Sequence, residues 1–217
     1  MIARRTGARV ARRMRHAVVW FALACGALGG AVVPVGAQDD AALREVVQGR
    51  FTVRFAEADE RLAHALAASA EARDSFPGLP RPKERVEIWI APDDATFSRW
   101  VGAGAPEWGN AFAFPLERRI VLHGHRGGQG GDALSVMRHE LAHLALHEAL
   151  GDLPPRWFDE GYASYSAGEW GRDEVLATNF ALAIALGRLP TFAGLDSSFW
   201  EGATTAQAAY ALSYRAV

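Results

Sequence analysis

Cysteine is nearly absent: Cys25 is the only one in 217 residues. It lies in an N-terminal stretch that the chain is expected to lose, which leaves none. That excludes disulfides, thiolate metal ligands and a cysteine nucleophile, so any metal must be held by His, Asp or Glu. Long apolar runs are also missing after residue 37. The stretch 177–189 is apolar but short, and Asn179 and Arg188 interrupt or bound it. No internal repeat or low-complexity tract is present. No Gly-x-Ser-x-Gly context frames a serine nucleophile, and neither a phosphate loop nor a dinucleotide fingerprint appears. Neither sign of charge dominates: the net charge is −2, which argues against nucleic acid as the main partner.

The first 37 residues have a recognisable order. Arg4, Arg5, Arg9, Arg12, Arg13 and Arg15 come first with no acid, then an uncharged apolar run over 17–33, then the small residues Val35-Gly36-Ala37 before Gln38-Asp39-Asp40. Basic, apolar, small and polar, in that order, predict a signal peptide over 1–37 and an exported protein, periplasmic or extracellular. The alternative is an uncleaved membrane anchor, for which the run is short and rich in Ala and Gly. Removing 1–37 takes away six arginines and no acid, so the mature chain carries 17 basic and 25 acidic residues, a net charge of −8. A polyanionic substrate or an anionic membrane surface is then disfavoured.

Half of the residues are hydrophobic, enough for the core of one domain over 38–217. Gly49 to Phe55 alternates and reads as a strand, Glu57 to Ser75 as an Ala-rich helix, and Arg85 to Ile90 as a second strand. Asp93 or Asp94 is placed to cap a short helix through Trp100. Asn110 to Phe114 and Arg119 to His123 read as two more strands, followed by a glycine-rich loop over 124–131. Helical patterns then cover Asp132 to Leu150, Trp157 to about Gly168, Val175 to Leu186, and Thr204 onward. Strands first and helices second predict an α+β domain. The last helical pattern is still running at Val217, so the domain is expected to be truncated at its C-terminus.

His139-Glu140-Leu141-Ala142-His143 is an HExxH segment in the middle of a predicted helix. Residues four apart share a helix face, so both imidazoles can reach one ion, while Glu140 lies about 100° round, beside the metal, placed to take a proton from water. Asp132 and Gly151 are suited to cap the helix. Leu134, Met137, Leu141, Leu144 and Ala145 fall opposite the histidines, which predicts one face on a core and the other on a cleft. A third candidate ligand follows a short turn in Pro154-Pro155-Arg156-Trp157-Phe158-Asp159-Glu160-Gly161. With Pro155 at the first helical position, Glu160 lies in the early turns of the next helix and can face the histidines. Two His and one carboxylate leave a fourth position open, the pattern of a catalytic metal site.

HELAH followed by LPPRWFDEGYASY resembles the gluzincin metallopeptidases, specifically the peptidase MA-like group. The likeness extends more loosely from Gly49 to the end, through FTVRF, VEIWIAP and GNAFAF. It implies a zincin-like fold: a small twisted, mainly N-terminal sheet packed on the HExxH helix, with a helical C-terminal part. It also implies one zinc ion on His139, His143 and Glu160, Glu140 as the base, and hydrolysis of peptide bonds in a peptide or protein substrate. The segment Trp108 to Phe114, with Asn110, Ala111, Phe112 and Ala113 at its centre, would be the edge strand that pairs with an extended substrate. Many relatives stabilise the oxyanion with a Tyr or His. Tyr210 and Tyr214 both lie in the appropriate downstream region, and no spacing rule chooses between them. Some relatives carry an Asp four residues after the ligand Glu, where it orients a histidine. Ser164 stands there instead, and Asp159, a substitute, points away from Glu160 on a helix.

His147 continues the histidine ladder and is expected to line the cleft or bond a backbone carbonyl rather than to ligate. His123 and His125 read as solvated loop residues, His64 sits on the Ala-rich helix and needs no role, and the aromatics at 89, 97, 100, 108, 112 and 114 read as packing. The alternative to an enzyme is a non-catalytic zinc-stabilised module that binds peptide or cell-envelope material. An intact Glu140 argues against it, because a structural site has no use for that residue.

Overall fold

A computed structural model describes residues 43–102, 110–124, 132–152, 154–169, 191–199 and 203–217, with 181 and 185. The predicted leader, Trp108, His125 with most of the glycine loop, and the helix expected over 175–186 (apart from 181 and 185, which are helical) lie outside the described residues.

The chain opens with a hairpin of β1 (Arg44–Gln48) and β2 (Phe51–Phe55), paired antiparallel from Arg44↔Phe55 to Gln48↔Phe51. The strand expected to begin at Gly49 therefore begins at Phe51, because Gly49 turns the chain at φ 58°. The strand before it was not foreseen. REVVQ is mostly exposed and lacks alternation, so period-two patterning gives no signal there. A short 3₁₀ turn leads into α1 (Glu60–Ala72), which carries the chain back so that β3 (Val86–Ala91) runs parallel to β2. α2 (Asp94–Val101) follows, capped by Asp93, whose carboxylate accepts from the Thr96 N–H at 2.7 Å. β4 (Ala111–Phe114) and β5 (Arg119–His123) complete a mixed five-stranded sheet of order β1-β2-β3-β5-β4, with β4 at one edge, antiparallel to β5.

Alternation divides the sheet between two layers. Phe51, Val53, Phe55, Ile88, Ile90, Ile120 and Leu122 face α1 and α3 in the main core. Ala91, Val121 and Phe97 of α2 form a smaller cluster on the other face, joined by Trp89, Trp100, Phe112 and Phe114. The aromatics at these positions pack as expected.

α3 (Ala133–Leu150) is bounded as its sequence predicts. Asp132 accepts from the Leu134 N–H at 3.1 Å, and Gly151 ends it at φ 71°. The expected core face is present, with Met137, Leu141, Leu144 and Ala145 in the main core and Leu134 packed against it, but the histidine side is covered as well. Met137 to Leu146 is buried on every side except at Glu140, because the sheet and α1 pack on one flank and α4 (Arg156–Ala167) on the other. Pro155 is the residue before α4 rather than its first helical position. It offers no side-chain cap, and Asp196 from α5 (Phe192–Ser198) accepts from the Trp157 N–H at 2.9 Å instead. The short α5 was not anticipated. α6 (Ala203–Ala216) packs on α4 and α5.

Arg138, directly before the motif, is buried. Its guanidinium donates to the carbonyls of Arg73, Ser75 and Ser166 and lies over the Phe76 ring. It thereby ties the start of the HExxH segment to the ends of α1 and α4. The fold is α+β. Among the described residues no helix is long and apolar enough to cross a membrane.

Candidate metal centre

His139 and His143 stand one turn apart on α3, with ring centroids 4.9 Å apart. Glu160 reaches them from α4. Its Oε2 lies 3.4 Å from His139 Nε2 and 3.7 Å from His143 Nε2. The three side chains are buried, and one ligand atom from each falls within 4.8 Å of the others, so the group could hold a metal ion.

The outer ring nitrogens are also held. His139 Nδ1 is 3.1 Å from Glu169 Oε2, and His143 Nδ1 is 2.7 Å from Asp159 Oδ1. A carboxylate only accepts, so each Nδ1 carries a proton and donates, which leaves Nε2 on the Glu160 side as the atom that can coordinate once it gives up its proton. This carboxylate–histidine arrangement orients metal-binding imidazoles and raises their basicity. The expectation that Asp159 points away describes it relative to Glu160 alone: from its own side of α4 it reaches His143. Ser164 is fully buried, and Glu169 takes the place at His139. Glu169 was missed because it follows the helix-ending Gly168, where no periodicity indicates direction.

The charges are strongly coupled in the metal-free protein. Burial alone would lower His139, but hydrogen bonds to Glu160 and Glu169 outweigh it and hold the imidazole well above its usual value. His143 has the same opposition of burial and Asp159, and it rises to about 9. Burial would raise Glu160, yet the hydrogen bond to His139 and the charges of His143 and Arg156 bring it down to about 2. Glu140 is half-buried and lies outside the ligand group. Burial raises its carboxyl, and the two histidines offset this only in part. A carboxylate raised toward neutrality suits a general base.

The two candidate tyrosines separate. Tyr210 has its ring 6.4 Å from that of His139 and edge-on to Phe199 at 5.0 Å, with its hydroxyl pushed up mainly by burial. Tyr214 packs on Tyr165, at 6.1 Å, a residue about 140° round α4 from Glu160. Gly161 explains why α6 reaches the site. A Cβ there would lie 2.4 Å from the Ser213 carbonyl oxygen, so glycine lets the two helices meet backbone to backbone.

Ala111, Phe112 and Ala113 lie in the edge strand β4, which packs beside α3. Asn110 precedes it and accepts from the His123 N–H at 3.3 Å. His147 is half-buried and stands outside the ligand group. His123 is a strand residue rather than a solvated loop one, stacked on Phe97 at 3.7 Å with Nδ1 3.3 Å from Asp94. His64 is exposed. The chain matches no protein-family model and no curated protein.

Proposed function

We propose that this protein is an exported zinc metallopeptidase of the gluzincin type, with a zincin-like fold. The observation that carries the reading is the convergence of His139, His143 and Glu160, with Glu140 beside them. Two imidazole nitrogens and one carboxylate oxygen, with no thiolate, suit zinc, and three protein ligands leave a position for water or substrate. The donor set fits the ion: both Nδ1 atoms are already engaged by carboxylates, which leaves Nε2 as the coordinating atom.

When bound, zinc supplies Lewis-acid polarisation of a carbonyl and lowers the pKa of water. Glu140 takes the proton from the attacking water and returns it to the leaving amine. Tyr210 is the candidate whose ring lies against that of His139, whereas Tyr214 packs on Tyr165, so Tyr210 is assigned the donor role toward the developing oxyanion. Its raised pKa keeps it protonated at neutral pH, as a donor must be. As the edge strand of the sheet, β4 is positioned to offer backbone groups to an extended peptide.

Metal analysis by mass spectrometry of the purified protein, beside Glu160→Ala and Glu140→Gln, tests this. One zinc per chain, lost in Glu160→Ala and kept in a hydrolytically dead Glu140→Gln, is the expected pattern. A folded protein that takes up no zinc, or a fully active Glu140→Gln, refutes it.

A further inference from the structure

The two oxygens of Glu160 have different partners. Oε2 faces both histidine Nε2 atoms, whereas Oε1 lies 3.0 Å from Arg156 Nη2, one turn earlier on the same helix. Arg156 also reaches beyond α4. Its guanidinium lies over the Phe199 ring at 5.3 Å, beside Tyr210. Phe199 meets Tyr210 edge-on. One partly exposed side chain therefore joins the third candidate ligand on α4 to the tyrosine on α6 through the aromatic ring that follows α5.

A planar guanidinium suits this task. It holds several donors in a rigid fork, so two contacts fix each other's direction, and it cannot lose its charge near neutral pH. A carboxylate free of such a partner can bind an ion through both oxygens, which fills an additional coordination position. A positive charge beside the ligand also works against uptake of a divalent ion. If metal affinity were the only requirement, a cation here would be a disadvantage.

We propose that Arg156 is a positioning residue that restricts Glu160 to one metal-facing oxygen, keeps a coordination position open, and steadies Tyr210 through the Phe199 ring. This rests on reading the cluster as a catalytic metal site. It goes further by assigning the open position to a residue that touches neither the ion nor the reacting atoms.

Cobalt reports the difference without a known substrate, because the visible absorption of Co²⁺ weakens as its coordination number rises. The metal-free protein, Arg156→Met and Arg156→Lys are titrated with Co²⁺, with circular dichroism to verify folding. Arg156→Met is expected to bind Co²⁺ with a Kd equal to or below that of the parent and with weaker visible absorption. Arg156→Lys, which keeps the charge and a donor, is expected to restore the parent spectrum. An unchanged spectrum in folded Arg156→Met overturns the proposal. So does a raised Kd in that variant, which would mark Arg156 as merely structural. If the parent takes up no Co²⁺, the metal-site reading falls and this proposal with it. A parent that binds, beside a variant that looks identical, removes only the role of Arg156.

Discussion

Replacing Gly161 with alanine sets two effects of opposite sign against each other. Gly161 lies inside α4, where glycine to alanine ordinarily stabilises a helix by about 1 kcal/mol. Here the new Cβ would fall 2.4 Å from the Ser213 carbonyl oxygen, 2.6 Å from its carbon and 2.9 Å from Val217 Cγ2. Ordinary carbon–oxygen approaches are about 3.3–3.6 Å, so roughly 1 Å must be found. The obstacle is helix backbone at a fully buried residue, which yields far less readily than the end of a flexible side chain. Overpacking of this kind costs about 1–3 kcal/mol. Because the obstacle is backbone, the clash wins, for a net loss of up to about 2 kcal/mol and a fall in Tm of up to about 8 °C in a domain of this size. On the proposed peptidase reading, in which Tyr210 is the oxyanion donor, activity suffers more than stability. Tyr210 lies one turn before Ser213 on α6, and misplacement of a reacting group by about 1 Å can cost on the order of 100-fold in rate. Thermal melts by circular dichroism, with hydrolysis of labelled casein alongside, provide the assay. A variant that melts at or above the parent temperature would show that propensity prevails, and that α4 and α6 do not meet at this glycine.

In the metal-free protein the two signs of pKa shift define a window. His143 is raised to about 9, so its pairing with Asp159 stabilises fully below about 6.5 and is lost as pH rises through 9. Glu160 is lowered to about 2, so its contribution is present above 4.5 and lost as pH falls toward 2. Melting in chelator is therefore expected to peak between about pH 4.5 and 6.5, and Asp159→Asn should flatten the alkaline side. An alkaline limb unchanged in that variant would show that the pair does not form. Glu169→Gln keeps a hydrogen-bonding group at His139 but removes the charge, and should weaken zinc binding by about 10–100-fold in a competitive chelator titration; parent affinity would count against the contact. Arg138→Met takes the guanidinium from three carbonyls, of which that of Arg73 keeps the Ser75 N–H, and should cost about 3 kcal/mol by urea unfolding, whereas a loss under 1 kcal/mol would rule out the clamp. Asp196→Ala should cost about 1 kcal/mol by removing the cap on Trp157, with no change expected if that N–H is satisfied elsewhere.

The legible parts of this protein are those governed by local periodicity. Strands β2 and β3 alternate because one face meets the α1–α3 core and the other meets α2 or solvent, and that pattern repeats every two residues, whereas β5 is a short apolar run buried on both faces. Both caps of α3 could be named because Asp132 and Gly151 act on the backbone next to them. The His139–His143 pair is a property of one helical turn, and the short connection to α4 was enough to bring Glu160 within reach of it. By contrast, β1 is too exposed to carry a pattern, and α3 is so evenly apolar that its wheel could not reveal burial on both flanks.

What the amino-acid order determined by itself was the donor set and its helical frame, since three ligands on two consecutive helices need only short-range geometry. Which carboxylate orients which imidazole was decided in three dimensions. Asp159 and Glu169 lie on either side of Glu160 in sequence, and only the crossing of α4 on α3, with the turn after Gly168, sends them to different histidines. Tyr210 and Tyr214 are equivalent in sequence, one turn apart on one helix. The depth to which α6 settles against Gly161 puts the first against His139 and leaves the second on Tyr165, because a helix–helix approach is set by the side-chain volumes of both partners together.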